Sequence, residues 1–290
     1  MDEEKLAATA YFLGMVHDIG KATALFQCNI TRSNPEMRIR WEKTGQFTGN
    51  FRHPTETPHA RASEAILREL GCPAGLASVA GAHHGKPQSN DYGRYIDEQM
   101  EQYGDNYWGT RKQREFWQEI WENLFEMALF KSGFSSAGEL PMLLVPDELL
   151  LAGLLIMADW LASNSAYFPL ISIDEWGDEL VYPKRADAAW QEIGLTEPWI
   201  AEHYAMDEKI FSRRFGFAPN EIQKAILEVA ADMEMPGILV LEAQMGVGKT
   251  EAALAAAEIL AARFGEGGLY FGLPTQATAN GIFGRLKTWA

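Results

Sequence analysis

Apolar positions recur with helical spacing through the first two thirds of the chain, and the pattern changes character in the last third. Residues 5–19 (KLAATAYFLGMVHDI) are apolar on nearly every side and run out at Gly20, which predicts a central, buried helix. Residues 22–58 hold few apolar repeats and carry Pro35, Pro54 and Pro58, so they read as a long irregular stretch. A short amphipathic helix over 59–70 is closed by Gly71 and Pro73, and another over 74–84 stops at Gly85 and Pro87. The polar, aromatic and glycine-bearing residues 88–110 read as a surface excursion. Phe116, Ile120, Leu124 and Ala128 then recur at intervals of four, giving a helical face over 111–131. Pro146 and Asp147 start an apolar helix over 147–163.

After about residue 205 the order becomes strand, loop, helix. Residues 219–233 predict a helix capped by Asn220, and the compact apolar run 237–242 (GILVLE) predicts a strand. A glycine loop, an alanine-rich helix over 250–263, a second strand over 269–273 and a helix over 276–289 follow. This is the opening of a parallel-sheet nucleotide-binding domain. Two parallel strands with their helices cannot cover both faces of a sheet, so this part reads as cut. The fold class is mainly α, a helical bundle over 1–205, followed by a partial α/β domain over 206–290.

The balance of charge narrows the function. With 47% hydrophobic and 22% charged residues the 290-residue chain can bury a sizeable core. Its net charge of -15 argues against coating nucleic acid by bulk electrostatics, so a role on DNA requires local attraction from metal cations or a small basic groove. Cys28 and Cys72 are far apart and form no CxxC spacing, which fits a reducing cytoplasm. Met1 is followed by acidic residues rather than the basic start of a signal peptide, and the longest apolar run, 149–158, falls well short of the ~20 residues of a membrane helix. The expectation is a cytoplasmic protein without a membrane partner.

Four of the six histidines lie in suggestive settings. His17 and Asp18 are adjacent at the end of the first helix, and an ionised aspartate there is costly unless paired or bound to a cation. His83 and His84 are adjacent in a run of small residues, His59 opens the helix after Pro58, and Asp159 interrupts the most apolar helix. Imidazole and carboxylate together suit divalent transition metals, and two ions ~3.5–4 Å apart suit hydrolysis of a phosphodiester. Each residue also has a plain structural reading. Asp18 suits a turn after a helix, the histidine pair the surface or a hydrogen-bonded core, and Asp159 an N-cap for a helix beginning at Trp160.

The runs HDIGKATALFQ (17–27), PHARAS (58–63), AHHG (82–85) and MADWLAS (157–163) together resemble the HD nuclease domain of the CRISPR-associated helicase–nuclease of type I systems. The resemblance covers nearly the whole chain. It implies an HD-type bundle and a metal set of His17, Asp18, His59, His83, His84 and Asp159. In that set Asp18 bridges two ions, His59, His83 and His84 complete one site, and His17 and Asp159 serve the other. It implies manganese, iron, nickel or cobalt as the two cofactor ions, with magnesium also acceptable. Asp18 is then catalytic, and Lys21, one turn beyond His17, stays close enough to meet a phosphate; its plain reading is a solvated helix-end lysine. Family members carry one further ligand histidine upstream, whereas only sixteen residues, none of them histidine, precede His17 here. His53 and His203 read as surface or loop residues.

The loop AQMGVGKT at 243–250 matches a Walker A phosphate loop with alanine in place of the first glycine. Gly246 and Gly248 let backbone amides face phosphate, Lys249 reaches the outer phosphates and Thr250 holds magnesium. Gln223 resembles the adenine-sensing glutamine of superfamily 2 helicases, and Thr275 and Gln276 in LPTQATAN match a motif that touches the DNA backbone. The resemblance thus implies the first piece of a RecA-like helicase domain using ATP and magnesium in the full-length protein. ATP hydrolysis is not expected from this part alone, because no acidic Walker B motif follows. Implied partners are single-stranded DNA and a guide-RNA surveillance complex. Trp108, Trp117 and Trp121 lie near Arg111, Lys112 and Arg114, where a core stripe is the better reading than a stacking platform. Arg38, Arg40, Lys43 and Arg52 form a second basic cluster that borders the metal cleft or is simply solvated. Two rivals remain open: an HD phosphohydrolase acting on nucleotides, and a non-catalytic form that folds without cutting.

Overall fold

The computed structural model of the chain describes residues 2–32, 34–45, 51–85, 96–172, 181–194, 197–202 and 205–289. The chain forms two compact units, 1–193 and 194–290.

The first unit is a helical bundle. Helix α1 (Glu3–Val16) starts where Asp2 accepts the amide of Lys5 at 2.8 Å. It buries one face, Thr9, Phe12, Leu13 and Val16, while Leu6 and Tyr11 face solvent. The expectation of a helix buried on all sides is therefore corrected. Its apolar composition exceeds what its packing uses: Ala8, Ala10 and Met15 join the 9–12–13–16 stripe only in part, and Leu6, Ala7 and Tyr11 stay exposed. The α-helix also stops at Val16, and Ile19–Lys21 form a 3-10 turn.

Residues 22–58 are not irregular throughout. Helix α2 (Ala24–Thr31) begins where Thr23 Oγ1 accepts the amide of Phe26, and helix α3 (Pro35–Thr44) begins with Asn34 as cap and Pro35 in the first turn. Gly45, at φ 72°, ends α3. Because α3 buries none of its residues fully, it leaves no apolar stripe in the sequence to betray it.

Helices α4 (His59–Glu69) and α5 (Ala74–Gly81) pack closely, aided by Ala62, Ala65, Ala77 and Ala80. Helix α6 (Gln99–Trp108) occupies the second half of the expected surface excursion, whose residues 88–95 lie outside the described ones. It buries Gln99, Asn106, Tyr107 and Trp108. Asn106 Nδ2 satisfies its burial by donating to His53 O at 2.8 Å and Thr57 Oγ1 at 2.9 Å, so a polar side chain sits inside without violating the rule that buried polar groups are bonded.

Helix α7 (Arg114–Lys131) turns Trp117, Trp121, Phe125, Ala128 and Leu129 inward, leaving Phe116, Ile120 and Leu124 half-buried at its side. The buried stripe is rotated one position from the predicted face, since the two tryptophans bring the larger apolar area. Phe12 of α1 meets Phe125 and Phe134 edge-on, at centroid distances of 5.7 and 6.4 Å. Helix α8 (Val145–Ala162) closes the bundle through Leu151, Ala152 and Leu155, and helix α9 (Val181–Ile193) ends the unit.

The second unit holds helices α10 (Glu208–Phe215), α11 (Glu221–Asp232), α12 (Lys249–Phe264) and α13 (Gln276–Trp289). Phe211, Ile226, Leu227, Ala230, Ala252, Ala255 and Ile259 form its core. The two predicted strands are not strands among the described residues. The 237–242 run keeps the two-residue alternation, with Leu239 and Leu241 against the helices and Ile238 and Val240 exposed. What it lacks is a hydrogen-bonded neighbour, and a strand exists only as part of a ladder. The chain is mainly α. No helix among the described residues is long and apolar enough to cross a membrane.

Candidate metal centre

Local chain geometry delivers four segments that bear candidate ligands to one point. At the end of α1 the His17 amide still bonds Leu13 O, and Asp18 then adopts φ -99° and ψ 12°, in the sparsely populated bridge region where active-site residues often sit. The turn that follows is pressed onto α4. A Cβ on Gly20 would stand 2.0 Å from His59 O, so only glycine allows the approach, and the Gly20 amide donates to Ser63 Oγ at 2.9 Å. Helix α5 ends at Gly81, which puts His83 and His84 in the turn beyond it, ahead of Gly85 at φ 108°. Asp159, in the last turn of α8, approaches from the side of α1.

Asp18 stands between two groups and turns one oxygen toward each. Its Oδ1 lies 3.6 Å from His59 Nε2 and 3.6 Å from His83 Nε2. Its Oδ2 lies 3.3 Å from His17 Nε2 and 2.5 Å from Lys21 Nζ. His59 Nε2 is 2.8 Å from His84 Nε2 and 3.4 Å from His83 Nε2, and His17 Nε2 is 3.7 Å from Asp159 Oδ1. Within the trio His59, His83 and His84, and again within His17, Asp18 and Asp159, one ligand atom per residue lies within 4.8 Å of the others.

Backbone carbonyls select the tautomers. The Nδ1 of His17 bonds Gly14 O at 2.8 Å and that of His83 bonds Ala80 O at 2.6 Å, each three residues back along its own helix. Nδ1 is thereby the protonated nitrogen in the neutral ring, and the Nε2 lone pairs point into the centre, as metal-ligating histidines require. His17 Nε2 and Asp18 Oδ1 are buried without a hydrogen-bond partner among the described residues. Buried polar atoms left in this way call for an ion or water. The residues fit divalent metal.

Protonation states agree. Burial opposes the Asp18 carboxylate, yet the adjacent His17 ring and the bonded Lys21 ammonium outweigh it and hold Asp18 well below the usual carboxylate range. Burial lowers His59 to about 4, with Asp18 pulling upward and His84, His83 and Lys21 pushing further down. Burial likewise lowers His83. For His17, burial is outweighed by the adjacent Asp18 carboxylate, with the Gly14 carbonyl and Asp159 adding to it, so it lies above its ordinary value. Neutral His59 and His83 beside an ionised Asp18 are the forms that bind a cation without first losing a proton.

All six predicted ligands and Lys21 thus meet in one place. Sequence reading missed their supports: Ser63, the carbonyls of Gly14 and Ala80, Phe26 with its ring edge-on to His59 at 5.4 Å, and Trp121, whose Nε1 donates to Ala22 O at 2.6 Å. The three-residue spacing Gly14–His17 and Ala80–His83 was the available signal for two of them. His53 is exposed as expected, while His203 lies outside the described residues. Trp117, Trp121 and Trp108 are buried, the core reading, and Arg114 lies over the Trp108 ring at 4.8 Å. Arg38, Arg40 and Lys43 are exposed on α3, as is Arg52 beyond it.

In the second unit the 243–250 loop enters α12 with Gly246 and Gly248 at φ 81° and 80°. Lys249 Nζ donates to Ala243 O at 2.5 Å and Gln244 O at 3.0 Å within its own loop, and Thr250 is half-buried in the first helical turn. Gln223 is buried and donates to Gly248 O at 3.1 Å while accepting the Asn220 amide, so it joins the α11 cap to the loop. Thr275 Oγ1 accepts the Thr278 amide and caps α13; Gln276 follows, and both are exposed.

A sequence profile described as "Cas3, HD domain" matches residues 1–168. The chain belongs to the Cas3 HD-domain family. It is 36% identical over 293 residues to the CRISPR-associated nuclease/helicase Cas3 of Streptococcus thermophilus, covering 97% of this chain and 31% of that protein. It is 31% identical over 307 residues to the CRISPR-associated endonuclease/helicase Cas3 of Thermus thermophilus, covering 99% and 30%. The crystal structure of T. fusca Cas3 with ATP shares the fold over the whole chain and 32% of its own length, at a TM-score of 0.53 and 24% identity. A chain in a structure titled "CRISPR RNA-guided surveillance complex, pre-nicking" matches at a TM-score of 0.50. The chain therefore spans about a third of the length of the Cas3 proteins it matches. The expectation of an HD helical bundle stands.

Proposed function

We propose that the chain is a metal-dependent nuclease of CRISPR interference that hydrolyses phosphodiester bonds in single-stranded DNA. The observation carrying this reading is Asp18, whose two oxygens face two separate ligand groups. His59, His83 and His84 would hold one ion, His17 and Asp159 the other, and Asp18 both. When bound, divalent ions such as manganese, iron, nickel, cobalt or magnesium would neutralise the phosphate and activate water for attack. The chain's own part is to keep the His59 and His83 imidazoles neutral, hold Asp18 ionised and place the Lys21 ammonium beside it, where it can meet a phosphate oxygen.

In this reading 1–205 is the nuclease domain and 206–290 opens a RecA-like helicase domain. Gly246, Gly248, Lys249 and Thr250 would take the phosphates and magnesium of ATP, Gln223 would sense the base, and Thr275 and Gln276 would touch the DNA backbone. A guide-RNA surveillance complex is the proposed recruiting partner in the full-length protein, and the cytoplasm the proposed compartment.

Incubating the chain with single-stranded DNA and manganese, nickel or cobalt tests the activity. Cleavage that vanishes in Asp18→Ala and on chelation is expected. Cleavage that persists unchanged in Asp18→Ala would sink the proposal.

A further inference from the structure

Helix α4 carries one candidate ligand, His59, yet two of the other three ligand-bearing segments, those of Asp18 and of His83 and His84, are seated on its next turn. Ser63 takes the segment of Asp18, through the Gly20 amide. Its neighbour Glu64 meets the other. Glu64 is 1% exposed, and a Cβ on Gly81 would lie 2.6 Å from Glu64 Oε2 and 2.9 Å from its Cβ. The carboxyl group thus fills the space beside the last residue of α5, two positions before His83. Its orientation is held by Arg68, whose guanidinium donates to Glu64 Oε1 at 3.2 Å and to Asp97 at 3.1 Å.

A buried carboxyl is an expensive spacer. Among the described residues Oε2 has no hydrogen-bond partner, and burial, outweighing Arg68, raises the group above its ordinary value. An apolar side chain of similar volume would serve the stability of the bundle as well or better. What it would not supply is a directional tie to Arg68, which stops the side chain from changing rotamer and letting α5 slide along α4. The distance between α4 and the end of α5 is what sets His84 Nε2 at 2.8 Å from His59 Nε2.

We propose that Glu64, anchored by Arg68, is a positioning residue that sets the spacing of His83 and His84 against His59. This rests on the metal-centre reading above for its consequence, and on geometry alone for its structural part. The conservative variant Glu64→Gln keeps the shape and an acceptor for Arg68. Glu64→Met keeps the volume and loses the tie, and it is the variant expected to stay folded.

The full chain is prepared without metal, with its histidines isotopically labelled, and the nuclear Overhauser contact between the His59 and His84 rings is measured; their centroids lie 4.7 Å apart. Manganese and cobalt affinity is then titrated calorimetrically, alongside thermal unfolding. Losing a residue that orients a metal ligand typically weakens metal binding about 10–100-fold. Glu64→Met is expected to unfold at or above the temperature of the unaltered chain, to lose the ring contact and to bind metal at least tenfold more weakly, while Glu64→Gln behaves as the unaltered chain. A Glu64→Met protein that keeps both the ring contact and the affinity overturns the proposal. Should the unaltered chain bind no metal, the metal reading fails, and the ring contact in the metal-free chain still decides the role of Glu64.

Discussion

The backbone of Gly20 touches the backbone of His59: a single added carbon on Gly20 would stand 2.0 Å from the His59 carbonyl oxygen and 2.5 Å from the Ser63 amide. Both obstacles are main chain in the first turns of α4, so neither can swing away. Gly20→Ala should therefore push the Asp18 turn off α4. The expected cost is about 1–3 kcal/mol of overpacking strain, with loss of metal binding at Asp18. Urea unfolding and metal titration of the variant check both; a variant with native affinity would show that the turn is not what places Asp18.

His59 makes the metal-free chain sensitive to acid. Its pKa falls from 6.5 in the unfolded chain to about 4 in the folded one. Between these pH values the unfolded chain binds the proton and the folded chain does not, so stability falls as pH drops. The contribution is intact above pH 6.5 and is lost on passing down to about 4. Each pH unit crossed in that window removes at most about 1.4 kcal/mol, and less once solvent screening is counted. Thermal unfolding from about pH 7.5 to 4.5 should show the decline, and His59→Gln should flatten it.

Trp121 ties the core to the metal turn, with its ring buried and its Nε1 donating to Ala22 O at 2.6 Å. Trp121→Phe loses the bond at about 1 kcal/mol, and Trp121→Ala adds a cavity for a total of about 3–5 kcal/mol. Denaturant midpoints of the two variants separate the contributions. Equal losses in both would mean that the bond carries all the effect.

Gly248 sits at φ 80° beside Gln223, and a Cβ there would lie 2.4 Å from Gln223 Nε2. Gly248→Ala should break the Gln223–Gly248 bond and strain the loop, costing about 1–3 kcal/mol. Proteolysis of the 243–250 loop is the measurement, and the variant should be cut faster. Gln223→Ala in the same background should restore part of the resistance by opening space.

Burial raises the Cys72 thiol to about 12. At about pH 8 it should stay unmodified by a thiol reagent in the folded chain and react fully once the chain is denatured, since the thiolate is the reactive form. Rapid reaction in native buffer would contradict the packing around α4 and α5.

Helices whose one face is apolar, or whose ends carry strong signals, were legible in the sequence, which is why α4, α5, α7, α8 and α11 fall close to where their patterns place them. Helix α3 was not, because it buries no residue fully, and the 237–242 run misled because alternation specifies an extended chain but not a neighbour to bond. The six side chains that gather at the candidate centre were named through the family resemblance, to which the cost of histidine and aspartate in apolar surroundings lent support. What the sequence by itself determined is the set of six candidate ligand side chains and the helices that bear most of them. Only the tertiary structure decided that Asp18 turns one oxygen to each group, that Gly14 and Ala80 choose the tautomers, and that Gly20, Ser63 and Glu64 seat the segments on α4. The physical reason is range. Helical periodicity acts over a few residues, whereas Asp18 and His83 meet across sixty-five positions through close backbone packing that leaves no periodic trace.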